Sequence, residues 1–302
     1  MSAADTAAAA PPAAPATPAV LPPLRLLYWS VRRELWENRA FWIGPVAIAV
    51  VAVAGFLIGA FGLPHAIEAA AVPDTARRGA NQISIPYAFV AFAVVITGLV
   101  IAFFYCLGAL HNERKDRSLL FWKSLPVPDA VAVLAKAALP LVVLPVVQLA
   151  VILAAHVVML AGSALVVGAS GAGFAAWWAH VPVLRLWPML LDGLPFMALW
   201  YAPLYAWFLL VSGWARRAPY LWAIAPPLLA GLVERLAFGT SAIWRWIALR
   251  LVGVFAGAFG GGHDGAMHAA ASWTSPHFWL GLAAAAVFLA LAVRLRRRAD
   301  PI

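Results

Sequence analysis

Long apolar runs are the feature that most restricts how this chain can fold. Residues 41–63 and 87–110 contain no Asp, Glu, Lys or Arg. A helix needs about 20 apolar residues, at about 1.5 Å each, to cross the ~30 Å of hydrocarbon in a bilayer. Hydrophobic residues make up 65% of the chain and charged residues only 11%, against ~25% charged residues in soluble domains. We therefore expect an integral membrane protein.

The apolar runs predict an all-α, polytopic membrane protein with six transmembrane helices. The expected spans lie at about residues 41–63, 87–110, 130–160, 188–212, 220–238 and 276–293, within one transmembrane domain over residues 24–298. Residues 1–23 are almost entirely Ala and Pro, which predicts a disordered tail, and residues 299–302 form the C-terminal end. We expect Pro140 and Pro145 to kink the third span, and the glycine-rich residues 162–173 to be flexible.

Residues 243–260 are apolar, but Arg245 and Arg250 interrupt them. Because a charge at the bilayer centre costs several kcal/mol, this segment predicts a short re-entrant hairpin between the fifth and sixth spans. The alternative is that it crosses fully. The chain would then have seven spans, and its C-terminus would lie outside.

Basic residues are distributed unevenly between the two ends of the six expected spans. If both termini are cytoplasmic, 15 of the 21 Arg and Lys residues lie in cytoplasmic segments, as the positive-inside rule requires. The net charge of +9 does not indicate a nucleic-acid partner, because the basic residues lie at span ends and form no surface stripe.

Residues 24–40 predict an amphipathic helix that lies in the membrane interface. Its apolar stripe consists of Leu24, Leu27, Tyr28, Val31 and Leu35. Its other side carries basic and indole side chains, namely Arg25, Trp29, Arg32, Arg33 and Trp36. This combination is typical of helices lying at the level of the lipid headgroups. A solvated helix preceding the first span is the alternative.

The stretch from His111 to Asp129, HNERKDRSLLFWKSLPVPD, is a charge-dense interruption between the second and third spans. Its excess of Arg and Lys places it on the cytoplasmic side. Apolar residues at three-residue steps, among them Leu119 and Trp122, would form a ridge beside a charged face if the stretch is helical. That shape favours docking of a soluble partner. The alternative is a solvated loop with one amphipathic turn on the headgroups.

Several kinds of chemistry are absent from the sequence. A nucleotide-binding phosphate loop needs Gly-Lys followed by Ser or Thr, and no lysine in this chain is preceded by glycine. His263, Asp264 and His268 lack a third strong metal ligand fixed by spacing, so a solvated loop is favoured over a metal site there. A single cysteine, Cys106, excludes an internal disulfide. We find no catalytic arrangement and expect a chain that is not an enzyme by itself.

Polar residues within the spans are candidates for a substrate path, because their burial in lipid is costly. The candidates are Gln148, His156, Asp192 and Glu234. Most of them lie near span ends, where the side chain can reach water. Interfacial placement is therefore the alternative, and only Gln148 is expected near mid-depth.

The order of these features resembles the membrane subunits, or permeases, of bacterial type-2 ATP-binding-cassette (ABC) exporters. The similarity rests on LRLLYWSVRRELWENR, on the charged loop after the second span, and on four further spans with a re-entrant hairpin before the last. The resemblance implies that residues 24–40 form the family's elbow helix. It also implies an ATPase-coupling helix that contains Glu113, Arg114, Lys115, Asp116, Arg117, Leu119, Phe121 and Trp122.

The resemblance further implies a complex of two permeases and two cytoplasmic ABC ATPase subunits in the bacterial inner membrane. ATP and Mg²⁺ would be bound by the ATPase, and this chain would bind no cofactor and would contact only protein and membrane lipid. The substrate, the direction of transport, the identity of the ATPase and the choice between homodimer and heterodimer stay open. An apolar interior would suit a lipid or amphiphilic peptide.

Three other functions remain as alternatives. A secondary transporter driven by an ion gradient would predict internal repeats, and residues 24–160 and 188–298 show none. A membrane enzyme acting on lipid would need convergent polar residues at one depth, whereas the first, second and sixth spans are uncharged. A non-transporting assembly or immunity factor with the same architecture is the third.

Overall fold

The computed structural model describes residues 22–116, 127–259 and 272–298, and every regular element in these ranges is helical. Within them, six helical stretches are long and apolar enough to cross a membrane. The prediction of an all-α protein with six candidate spans is confirmed. Large apolar side chains such as Ile58 and Leu165 are more than 70% exposed, as expected for helices whose outer surface is covered by lipid.

The first two candidate spans are longer than predicted. The helices are α1 (Pro23–Glu37), α2 (Ala40–Gly59), a 3₁₀ turn (Ala60–Gly62), α3 (Leu63–Ala71), α4 (Ala76–Gly108) and α5 (His111–Lys115). Helix α4 begins 11 residues before the predicted start at residue 87. Its N-terminal part packs on α3 at Gly79, where an added Cβ would overlap backbone atoms of Ala66 and Ala70.

The third candidate span is a continuous helical stretch with a widened turn. It consists of α6 (Asp129–Ala138), a π-helical turn (Leu139–Val143) and α7 (Leu144–Ser170). Pro140 lies in the π-helical turn and Pro145 lies just after it. The turn forms there because neither proline can donate the backbone hydrogen bond that a regular helix requires. The expected flexible segment is wrong for residues 162–170. These residues continue α7, which ends at Gly171 with a left-handed φ of 71°.

The remaining helices complete the set of candidate spans. They are α8 (Phe174–Trp178), α9 (Val183–Trp200), α10 (Ala202–Trp214), α11 (Pro219–Phe238), α12 (Ala242–Phe259) and α13 (Pro276–Arg298). The predicted span 188–212 is divided at Tyr201, because Pro203 has no N–H to donate to the backbone carbonyl of Leu199 and the Leu204 amide bonds to Tyr201 instead of Trp200.

The packing brings distant parts of the sequence together. Helix α2 packs on α4 and α7, α1 packs on α6, and α10 packs on α4 and α13. Buried aromatic residues such as Phe41, Tyr87, Trp200 and Phe278 fill the common core. The contacts of α1, α6 and α13 meet at one end of the helices, and the candidate site lies there.

Candidate functional site

Four helices contribute charged side chains to one buried ionic cluster. We define the ionic cluster as Glu34 of α1, Glu113 of α5, Lys136 of α6 and Arg296 of α13. The Lys136 ammonium lies 2.8 Å from Glu34 Oε1 and 3.0 Å from Glu113 Oε1. Arg296 Nη2 lies 3.3 Å from Glu113 Oε2, and Arg296 Nε lies 3.7 Å from Asp129 Oδ1.

Because the ionic cluster is buried, loss of one of its members should lower the stability of the fold. The side chains of Glu34, Lys136 and Arg296 are each exposed by 5% or less. An unpaired charge in such a place is costly, and removing one partner of a buried pair typically destabilises a protein by about 3–5 kcal/mol. Each member therefore depends on the others, and the helices that carry them are held together at this end.

Glu34 has further partners on two elements. Arg33 Nη2 donates to Glu34 Oε1 at 2.9 Å, and the Tyr105 hydroxyl donates to Glu34 Oε2 at 3.0 Å. Burial alone would raise the pKa of Glu34, but Lys136 and Arg33 outweigh it and the pKa lies below its ordinary value. Glu34 is therefore ionised at neutral pH and ties α1 to α4 and α6.

The predicted coupling residues divide between inward and outward positions. Glu113 belongs to the ionic cluster, and Arg114 Nη1 donates to the backbone carbonyl of Gly213 at 2.7 Å. Lys115 and Asp116 are exposed. The remaining residues of this prediction, Arg117, Leu119, Phe121 and Trp122, lie outside the described ranges. Contact with an ATPase stays a prediction.

Helix α1 packs on the protein through part of its apolar stripe and through one acid. Val31 and Leu35 pack against the core, but Leu24 and Tyr28 of the expected apolar stripe are exposed, and the buried side chain of α1 is Glu34. On the basic side, Arg25, Trp29, Arg32 and Trp36 are exposed and Arg33 is half-buried. The Arg32 guanidinium lies 5.1 Å from the centre of the Trp29 ring, so this side forms a surface of cations and indoles.

Two of the predicted substrate-path residues are buried on α7 and bonded to the protein. Gln148 Nε2 donates to the backbone carbonyls of Val94 and Val95, both at 3.2 Å. His156 lies two turns further along, where Trp187 Nε1 donates to its Nδ1 at 3.2 Å. Since Nδ1 accepts, the proton is on Nε2, which donates to the carbonyl of Tyr87 at 3.0 Å. Both side chains fasten neighbouring helices to α7.

The other two candidates lie apart from this pair. Asp192 is exposed on α9. Glu234 is half-buried, and it accepts hydrogen bonds from the backbone amides of Ala242 and Ile243 at 2.7 and 2.8 Å. Glu234 therefore caps the start of α12 from the end of α11. The described contacts do not join these four residues into one site, and the substrate-path role stays a prediction.

Sequence reasoning missed the position of Arg250. This fully buried side chain donates from Nη1 to the backbone carbonyl of Trp200 at 2.8 Å and from Nη2 to that of His277. Its guanidinium also lies 4.3 Å from the centre of the Trp200 ring. The Leu204 amide bonds to Tyr201 and leaves the Trp200 carbonyl without its helical donor, and Pro203, which breaks the helix there, was the signal in the sequence. Arg250 joins α12 to α9 and α13.

Among the described residues, no group of three or more His, Cys, Asp or Glu could hold a metal ion. His263, Asp264 and His268, considered above as a metal site, lie outside the described ranges. Comparison with protein-family models, curated proteins and solved structures found no match. The proposed function therefore rests on the geometry of the chain, and in particular on the ionic cluster, which joins four helices of the described part.

Proposed function

We propose that this chain is the membrane-spanning subunit of an ATP-driven ABC exporter, which couples ATP hydrolysis on a separate cytoplasmic subunit to movement of a substrate across the membrane. The observation that carries this proposal is the ionic cluster. A loop that merely joins two spans needs no buried ion pairs, whereas a segment that transmits movement needs rigid attachment to several helices.

In this mechanism the ATPase binds the chain from α5 onward. Exposed Lys115 and Asp116 make charged contacts, and the apolar side chains of Leu119, Phe121 and Trp122 fill a groove on the ATPase. Glu113 and Arg114 take a different role from the one that the resemblance implies, because their partners lie within this chain. They pass the displacement of α5 to α1, α6, α10 and α13.

Helix α1 is proposed to be an elbow helix in the cytoplasmic interface. Its inward side is fixed by Val31, Leu35 and Glu34. Its outward side exposes Leu24, Tyr28, Trp29 and Trp36 together with arginines, a combination suited to the headgroup level of a bilayer. Movement of the ionic cluster would therefore also shift a helix that lies on the membrane surface.

Helix α12 is proposed to be part of a re-entrant hairpin. Helix α11 starts near the end of α10, and its 20 residues cover about 30 Å, the thickness of the hydrocarbon layer. Arg296, in the last turn of α13, lies beside Glu113. Glu113 is at the same end of the spans as the start of α11. The connection between α11 and α13 would then begin and end on the opposite side of the membrane. This supports six crossings, with both termini on the same side.

The assembled transporter would contain two copies of this chain and two ATPases in a bacterial inner membrane, with both termini cytoplasmic. ATP and Mg²⁺ would be bound by the ATPase, so this chain would have no catalytic activity of its own. The proposal leaves the substrate and the identity of the ATPase to experiment.

Co-purification with the ATPase encoded beside this chain tests the proposal. We expect the wild type to retain the ATPase and the Lys115→Glu/Asp116→Lys variant to lose it while remaining folded. Glu113→Gln should retain the ATPase but lose any change in ATP hydrolysis that binding to this chain causes. Asp192→Asn is a matched control on an exposed acid away from α5. Absence of an associated ATPase under every condition would remove the main support and favour a stand-alone transporter.

Cysteine labelling tests the topology. The native Cys106 is fully buried, so an impermeant maleimide should label only introduced cysteines. In intact cells we expect labelling at Asn81→Cys and Thr274→Cys but not at Lys115→Cys. Labelling at Asn81→Cys without labelling at Thr274→Cys would show that α12 crosses the membrane, contrary to the re-entrant arrangement.

A further inference from the structure

We propose that a groove between α2 and α4 binds an anionic phospholipid of the surrounding bilayer, with its acyl chains between the two helices and its phosphate against Arg77 and Arg78. The groove lies beside the N-terminal half of α4, whereas Tyr105, which contacts Glu34 of the ionic cluster, lies near the C-terminal end of that helix. The proposal needs neither the ATPase nor transport, so it goes beyond the proposed function.

The apolar part is an open cavity of about 560 Å³ between residues 51–63 and residues 82–90. Its lining contains no charged side chain and includes Val51, Phe56 and Phe89. Gly55 and Gly59 line it, and the space beside them is open, because a Cβ added at either position would meet no atom within 4 Å. A flexible hydrocarbon chain suits such a surface.

The polar part is a second open cavity of about 750 Å³ that contains Arg77 and Arg78. It shares Gln82, Ile85 and Pro86 with the apolar groove. The two cavities therefore form one continuous surface that changes from apolar to basic along α4. An amphiphile with a charged head and apolar tails has the same order of properties.

The charge of the polar part selects an anion. Arg77 and Arg78 outnumber the single acid, Asp74, in its lining. Among the described residues, the ion pairs all lie elsewhere, so neither arginine is neutralised by a neighbouring carboxylate. A guanidinium binds phosphate through two parallel N–H donors. A lipid with net negative charge should therefore be preferred over a zwitterionic lipid of the same length.

The distances along α4 fit a lipid in the bilayer. Arg78 is seven residues from Ile85, which corresponds to about 10 Å of helix. The headgroup layer is roughly 5–7 Å thick on each side of the hydrocarbon, and a long arginine side chain can bend toward it. With Ile85 at the edge of the hydrocarbon, the guanidinium of Arg78 can reach the level of the phosphates.

A second copy of this chain is a poorer occupant than a lipid. Ile58, Ile85 and Phe89 are more than half exposed beside the groove, as on a lipid-facing surface. A symmetric contact through this face would bring the same patch of both copies together. The paired Arg77 and Arg78 side chains of the two copies would then repel each other.

Native mass spectrometry of the full chain in detergent tests this proposal, with phosphatidylglycerol and phosphatidylcholine of identical acyl chains as probes. We expect the wild type to retain phosphatidylglycerol roughly tenfold better at one site, as one or two charge-assisted hydrogen bonds would give. Arg77→Gln/Arg78→Gln should bring the ratio close to one. Gly55→Leu and, separately, Gly59→Leu should lower binding of both lipids at that site.

Matched controls are Arg185→Gln, an outer arginine away from the groove, and Gly168→Leu, an exposed helical glycine with open space around it. Both should bind as the wild type does. The proposal is overturned if the wild type shows no preference, if the preference survives the double arginine variant, or if neither glycine variant weakens binding. It is also overturned if Gly55→Leu converts a dimer into monomers, because a second copy would then cover the groove. None of these results depends on ATPase association.

Discussion

Lys136 donates a hydrogen bond of 2.8 Å to Glu34, 102 residues earlier in the sequence. The contact fastens an amphipathic helix that precedes the first span to the beginning of the third. With Glu113 at 3.0 Å on its other side, Lys136 is the centre of the ionic cluster. This arrangement makes clear predictions about which single changes are tolerated.

The first prediction concerns the order of stability of variants in the ionic cluster. Lys136→Met leaves two buried carboxylates without their shared cation, and we expect a loss of about 3–5 kcal/mol in the free energy of unfolding. Glu34→Gln/Lys136→Met removes one of those carboxylates and should recover part of the loss. Thermal unfolding of the purified protein in detergent measures this, with exposed Lys115→Met as the unchanged control. A double variant less stable than Lys136→Met would contradict the arrangement.

The second prediction concerns pH, for which Glu34 and Glu37 should behave oppositely. The pKa of Glu34 lies below the ordinary 4.5 because its ion pairs outweigh burial. Its contribution is therefore present above pH 4.5 and is lost as pH falls below that value. Partial burial outweighs the attraction of Arg33 and raises the pKa of Glu37, so its contribution is present below pH 4.5 and is lost as pH rises through the higher folded value.

Melting temperatures measured between about pH 5.5 and 3.5 distinguish the two carboxyls. As pH falls, the melting temperature of the wild type should fall relative to that of Glu34→Gln and should rise relative to that of Glu37→Gln, because glutamine resembles the protonated carboxyl. Parallel slopes for the two variants would show that the ion pairs of Glu34 do not hold its carboxylate ionised.

The sequence predicts the spans well, but it does not predict the interactions between them. Apolar runs identified all six candidate spans, because crossing a bilayer is a requirement on local composition. The ion pairs of Lys136 with Glu34 and Glu113 were not predicted, because they depend on packing between segments far apart in sequence. The inward position of Glu34 on α1 was not predicted for the same reason, since the apolar stripe gives no sign of an acid that faces the protein.

The third prediction compares two helical glycines. Gly79→Ala would place a Cβ against backbone atoms of α3, which cannot move as a side chain end can. We expect a loss of about 1–3 kcal/mol. Gly168→Ala meets open space and should gain about 0.5–1 kcal/mol from its higher helix propensity. Thermal unfolding checks both signs, and equal effects would mean that α3 and α4 are not closely packed.

The fourth prediction concerns Arg250 and Gly281, which share one space. Arg250 lies where a side chain on Gly281 would overlap its guanidinium. We expect Gly281→Ala to displace the guanidinium from the carbonyls of Trp200 and His277. Arg250→Lys should also lower stability, because one ammonium group cannot reproduce the planar fork that spans two acceptors and stacks on the Trp200 ring.

The decisive measurement for this site is a double-mutant cycle of melting temperatures. In Arg250→Met the guanidinium is gone, so adding Gly281→Ala should cost much less than it does in the wild type. The coupling between the two changes should fall in the range of about 0.5–3 kcal/mol that residues in contact show. Additive losses would mean that Arg250 and Gly281 are not in contact, and that α12 is held to α13 by other residues. A coupled result would establish that one buried arginine fixes the position of α12 against the last span.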